Sequence, residues 1–304
     1  MVTIASTDDT RGVETSSDIN SSALMRDEKR ERWRLLGLSL PALALISVLL
    51  LLPVGWLFAL SLVADGGLSF VNYARMLDHA SYLNIFFTTF EISFLVTGLC
   101  ILLGYPVAYV LGHLPPKWAT IGLAFVLIPF WTSILVRTYA WLVLLQRRGI
   151  INEALMDIGF IDEPIKLAYN FTGTVIGMVH IMLPFLILPL YSSIRNIDGD
   201  LIKAASNLGA SPVKAFWQVF LPLSMPGLVA GTLLVFVLCL GFYVTPQILG
   251  GGQVIMVSMK IQQNIQVYFD WGAGSALGVV LLVLALGLFY LVHRFAGLDR
   301  IFKG

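Results

Sequence analysis

Glu91 and Arg137 stand inside stretches that are otherwise apolar, and their side chains have the strongest claim to chemistry. A charge in hydrocarbon is costly and is kept where it meets a partner or a wet cavity. Glu91 could hold an ammonium group and Arg137 a carboxylate or phosphonate, or the two could neutralise each other. Near them lie Trp131, Tyr139, Trp141 and Tyr243, with Asp270 and Trp271 beside the last apolar run. Aromatic rings around one carboxylate suit an amine through cation–π attraction, although such rings also serve as packing and interface anchors. Catalytic signatures are missing: there is no GxxxxGKS/T phosphate loop, no HExxH and no paired CxxC. Cys100 and Cys239 sit deep in separate apolar runs and read as small hydrophobes. His180 reads as a hydrogen-bonded core residue, while His79, His113 and His293 fall in or beside connecting segments. The chain reads as a non-enzyme with no metal or cofactor of its own. If ATP drives it, another chain holds the nucleotide.

The elements that must position these residues are membrane spans. The 304 residues are 58% hydrophobic and 12% charged, with a formal net charge of +1 and a mean hydropathy of +0.85. That charged fraction is about half that of globular chains, which excludes an ordinary soluble domain. The near-neutral balance gives no hint of a nucleic-acid partner. Crossing a bilayer takes about 20 apolar residues. Six stretches qualify, near 35–63, 84–112, 119–145, 173–194, 222–249 and 272–293. The expected fold class is all-α integral membrane with six transmembrane helices. Pro184 and Pro189 interrupt the fourth, which makes it the weakest of the six. In two straight antiparallel helices, Glu91 and Arg137 lie at the same depth, roughly 10 Å below the outer surface. An ion pair between them therefore leads, with a role along a solute path as its rival.

Basic residues set the orientation. Arg75, Arg147, Arg148, Lys166 and Lys260 fall in the outer segments, and the other thirteen outside the spans are inner, which places both termini in the cytoplasm. Residues 1–34 are polar and aperiodic, hence a disordered tail. They end in RDEKRERWR, a solvated stop or an anchor to anionic lipid. Residues 35–294 form the membrane domain and 295–304 a short cytoplasmic tail. HLPPKW (113–118) makes a tight inner turn. INEALMDIG (151–159) predicts a short surface helix stopped by Gly159. Glycine pairs at 173/177, 227/231 and 274/278 allow close helix contact, within the chain or with a partner.

The inner loop at 200–221, within LIKAASNLGASPVKAFWQVFLPLSMPG (201–227), is patterned differently. Asp200 suits an N-cap, and Leu201, Ala204, Ala205 and Leu208 share one helical face. Gly209 suits a left-handed stop, Ser211 a second cap and Pro212 a first helical position. Val213, Phe216, Trp217 and Phe220 repeat the same spacing, and Pro222 closes the unit where the fifth span begins. Two apolar faces at a membrane surface lie on the lipid interface or dock into another protein.

At KAASNLGASPVKAFWQVFLP the sequence resembles the EAA loop of permease subunits of ABC importers, through Ala204, Ala205, Gly209, Val219, Leu221 and Pro222. GYPVAYVL, PFWTSILVRTYAW, LPLYSSI and FYVTPQILGG look like the spermidine/putrescine branch, which also includes opine and aminoethylphosphonate importers. The resemblance implies a six-helix permease of the type I importer kind in the bacterial inner membrane. A related second permease, two cytoplasmic ATPases carrying ATP and Mg, and a periplasmic binding protein would accompany it. The loop, through Lys203, Ala204, Ala205, Gly209, Ser211, Pro212, Phe216, Leu221 and Pro222, would be the coupling element that fits a cleft in the ATPase. Where the family has an acid, this chain has Lys203, which is either tolerated or paired with an acid on its own ATPase. The implied cargo is a polyamine, with an opine or aminoethylphosphonate as the alternative. An ion-coupled secondary transporter using Glu91, or a scaffold that only recruits a partner, is the reading from another class.

Overall fold

Proline and glycine decide where the helices of this chain bend and where they touch. The computed structural model describes Gly37, residues 39–64 and residues 67–296. The expected 1–34 tail lies outside the described residues, as does the 295–304 tail beyond the last two residues of the final helix. Two units are distinguished, residues 1–59 and 60–304. The first is represented by helix α1 (Ser39–Ser61), long and apolar enough to cross a membrane.

In the second unit, α7 (Phe171–Arg195) lies at the centre, with α3 (Ala80–His113) and α10 (Leu221–Leu240) packed along it and against each other. Their shared core joins Ile92, Val96 and Cys100 of α3 to Met178, Met182 and Leu186 of α7 and to Val235 and Cys239 of α10. The run expected to be the weakest span is the most buried candidate span. Pro184 and Pro189 stay inside an unbroken helix, because neighbouring helices shelter the backbone groups that the prolines free.

The glycine pairs bring helices of this same chain together. A Cβ at Gly227 would stand 2.7 Å from the Pro189 carbonyl and 3.0 Å from Leu190 Cα, and one at Gly231 would stand 3.0 Å from the Leu186 carbonyl. The α10 backbone therefore lies directly on α7. Gly274 faces the side chain of Ile265, and Gly177 that of Thr245.

The third run does not cross as one helix. Helix α4 (Pro116–Leu127) passes into a 3-10 turn (Ile128–Trp131), and a new helix, α5 (Ile134–Leu144), leaves at 96°. Pro129 has no N–H to continue the ladder. Thr132 closes the turn by donating both its N–H (3.2 Å) and its hydroxyl (2.8 Å) to the Pro129 carbonyl. The fifth run also differs from the expectation. It stops at Leu240, turns at Gly241, and its last residues form a separate helix, α11 (Val244–Leu249), against α5 and α7. The described residues thus hold five helices able to cross a membrane, or six if the bent α4/α5 pair is one span.

Short elements complete the ends. A two-residue antiparallel pairing (β1 Val63–Ala64, β2 Gly67–Leu68) precedes α2 (Val71–Asp78). The predicted surface helix is α6 (Ile150–Asp157), stopped at Gly159 with φ +70. Asn170 caps α7 by accepting from the Gly173 N–H at 2.8 Å. Helix α12 (Val257–Gln266), not foreseen, packs on the last helix, α13 (Trp271–Ala296).

Candidate functional site: the helical elbow and the charges within the bundle

The loop at 200–221 folds as two short helices set at one end of the bundle. The first is α8 (Gly199–Asn207), capped by Asp198 rather than by Asp200. The Asp198 carboxylate accepts the Asp200 N–H at 2.9 Å, and Asp198 has the extended backbone a cap requires. Asp200 is left free to meet Lys203 at 2.8 Å. The cation at 203 is therefore neutralised by an acid of its own first turn, where an acid also suits the helix dipole.

The stop is a Schellman motif: the Ala210 N–H bonds to the Ala205 carbonyl and the Gly209 N–H to that of Ser206, with Gly209 at φ +84. Ser211 then caps α9 (Pro212–Ala215) by accepting the Lys214 N–H at 3.4 Å, and Pro212 takes the first helical position.

Pro222 does not close the unit. Helix runs without a break from Pro212 to Leu240, through one π turn at Phe216–Phe220 in which the Leu221 N–H reaches back to the Phe216 carbonyl. In regular α geometry the ring of Pro222 would press on the carbonyl four residues earlier. The wider turn relieves that contact. The second half of the elbow and the fifth span are one rod.

The elbow's apolar faces divide. Phe216 and Phe220 turn inward onto Tyr105, Tyr109 and His113 of α3, with the Tyr109 and Phe220 rings 5.1 Å apart and edge to face. Tyr105 and Ser224 share a hydrogen bond of 3.0 Å, and His113 donates from Nδ1 to the Tyr109 carbonyl at 2.8 Å. Ile202, rather than the expected face of α8, joins this cluster. Ala205 is half-buried and Ala204 exposed, while Leu208 is 89% exposed, Val213 69% and Trp217 62%. Arg195 holds this end together by donating to the Gly112 and Leu114 carbonyls at 3.4 Å.

The expected Glu91–Arg137 pair is not formed. Among the described residues the ion pairs are Arg75–Asp270 (3.6 Å) and Lys203–Asp200. Equal depth assumed two straight helices, and the bend after Leu127 removes that premise. Glu91 lies on the exposed side of α3, beside the buried Ile92 and Ser93 and on the stripe of Phe87 and Phe94. Arg137 is half-buried on α5, its guanidinium 5.8 Å from the Phe130 ring centre, and its Nε is buried with no hydrogen-bond partner.

Of the aromatic candidates, Trp131 and Tyr139 are exposed and Tyr243 packs against the core. Asp270 caps α13 by accepting the Ala273 N–H at 2.9 Å, and also pairs with Arg75. Lys260, not singled out in the sequence, lies 5.3 Å from the Tyr268 ring centre and 6.0 Å from that of Tyr82.

Residues 32–296 match the family described as binding-protein-dependent transport system inner membrane component. The chain is 36% identical over 223 residues to the spermidine/putrescine transport system permease protein PotB of Haemophilus influenzae, covering 73% of this chain and 78% of that protein. It is 27% identical over 263 residues to the putative 2-aminoethylphosphonate transport system permease protein PhnU of Salmonella paratyphi A, covering 83% and 90%. Among solved structures, the bacterial alginate ABC transporter in complex with alginate pentasaccharide-bound periplasmic protein contains a chain of like fold. The TM-score is 0.65 at 19% identity, over 89% of this chain and 97% of that one.

Proposed function

The chain belongs to the family of binding-protein-dependent transport system inner membrane components, and on that premise we propose that it passes a polyamine across the membrane under power from a separate ATPase. It is a multi-pass permease of an ABC importer in the inner membrane, and its relatives are named as transport permeases rather than enzymes. The polyamine reading is supported by the likeness to the spermidine/putrescine permease.

The observation that carries the ATPase reading is the elbow. Leu208, Val213 and Trp217 are exposed at one end of a rod that runs unbroken from Pro212 to Leu240. A patch of this kind fits a protein cleft, and the elbow end is then the cytoplasmic one. A push on α9 reaches the middle of the bundle without crossing a flexible joint, because the inward aromatics grip α3 and the rod itself becomes α10. Nucleotide binding then biases the bundle between two arrangements. A related permease completes the pore. A periplasmic binding protein delivers cargo at the opposite end, a reading supported by the alginate transporter, which was solved together with its periplasmic protein. Glu91, exposed on an apolar helix, needs a counter-charge at membrane depth and suits a passing ammonium group.

The test is uptake by the full assembly in sealed vesicles. ATP-dependent accumulation of spermidine or putrescine, surviving collapse of ion gradients, is expected. Uptake that follows the ion gradient and ignores ATP would overturn the reading. An anionic or zwitterionic cargo is the second reading, favoured by the unpaired guanidinium of Arg137 and by the likeness to an aminoethylphosphonate permease.

A further inference from the structure

Among the buried polar atoms without partners in the described residues, two lie on helices α5 and α7, which touch. His180 of α7 has its Nδ1 buried and unbonded, and Arg137 of α5 its Nε. The Trp141 ring stands edge-on to the His180 ring at 5.5 Å, and Trp141 is one helical turn from Arg137, on the same side of α5. Trp141 and His180 line a cavity of about 340 Å³ whose other walls include Leu99, Leu103, Val179 and Leu183. The cavity is an apolar slot with the imidazole in its wall, and Arg137 lies one helical turn along α5 from the Trp141 that also lines it.

No acid among the described residues pairs with Arg137. A permanently charged guanidinium with a buried, unsatisfied N–H in an apolar span demands a counter-charge. The planar fork of arginine matches a two-oxygen anion. The leucines and valines of the cavity beside His180 match a short alkyl chain. We infer that Arg137 and His180 form an oxyanion site that takes a carboxylate carried on a short alkyl stem. That chemistry has two sources. One is an acidic side chain of the companion permease, and the other is the carboxylate end of an aminoalkanoate cargo.

The site rests on the proposed importer assembly, so the test uses the complete transporter in vesicles. Arg137→Met keeps the stem and removes the charge, and Arg137→Lys keeps the charge. Two readouts are taken: the melting temperature without cargo, and ATP-driven uptake of putrescine and of 4-aminobutyrate, which replaces one amine end with a carboxylate. If the companion supplies the anion, Arg137→Met melts several degrees lower and both uptakes fall together, with recovery in Arg137→Lys. If the cargo supplies it, melting is unchanged and the ratio of 4-aminobutyrate to putrescine uptake drops about tenfold or more, the scale of a lost charge-assisted hydrogen bond. His180→Leu moves the same readout in the same direction. The site is overturned if Arg137→Met matches wild type in melting and in cargo ratio, or if Arg137→Lys is as impaired as Arg137→Met. Failure of wild-type uptake to depend on ATP would instead sink the importer reading, and the melting comparison would still judge the site.

Discussion

The Leu221 N–H bonds to the carbonyl of Phe216, five residues back, so the helix that starts at Pro212 continues through this turn into a span that ends at Leu240. One extra residue is absorbed at that turn, just before Pro222. The extra residue sets the rotation of the elbow relative to α10.

Replacing Pro222 with Ala restores an N–H and removes the ring, so the turn can close in regular α form. That change rotates the elbow by about 100° about the rod axis. Thermal unfolding is expected at the same temperature or higher, while ATP-driven uptake falls several-fold. Full uptake in a Pro222→Ala variant with unchanged helix geometry would show that the π turn is incidental.

Lys203 already has a partner on its own helix. An exposed pair of this type contributes about 0.5 kcal/mol or less. Lys203→Glu is therefore expected to leave transport-linked ATP hydrolysis within roughly twofold of wild type, the scale of so small a free-energy change. A large loss in that assay would mean that Lys203 pairs across an interface instead.

At Gly227 there is no space for a methyl group, because the backbone of α7 stands within contact distance. Gly227→Ala must push α10 off α7 and is expected to destabilise by about 1–3 kcal/mol, read as a lowered unfolding temperature in detergent. Gly98 is the control: nothing lies within 4 Å of its missing Cβ. Gly98→Ala gains helix propensity of up to about 1 kcal/mol. Equal behaviour of the two variants would contradict the close approach.

Local signals were the most legible in the sequence. Gly209, Ser211 and Pro212 each impose one backbone requirement, and each stands where its spacing indicated. Asp198 was missed in favour of Asp200 because both are good caps and only the backbone separates them. Hydropathy, in contrast, measures length and not direction. It joined α4 to α5 across Pro129, and α10 to α11 across Gly241, because the residues on either side of each turn are equally apolar. The supposed pairing of Glu91 with Arg137 inherited that error. The division of the elbow into inward Phe216 and Phe220 and outward Val213 and Trp217 was also hidden, since all four fit one broad apolar stripe. Only the position of α3 decides which of them it covers.

Cross-linking from the tip of the elbow tests the central claim most directly. Cys100 and Cys239 are both buried, so a cysteine introduced at Leu208 supplies an exposed thiol at this tip. In the assembled transporter, a short maleimide carrying a photoreactive benzophenone is expected to join position 208 to a chain bearing a nucleotide phosphate loop, with a yield that changes when ATP is bound. Labelling of that cysteine by a lipid-phase reagent, with no adduct to any nucleotide-binding chain, would contradict it.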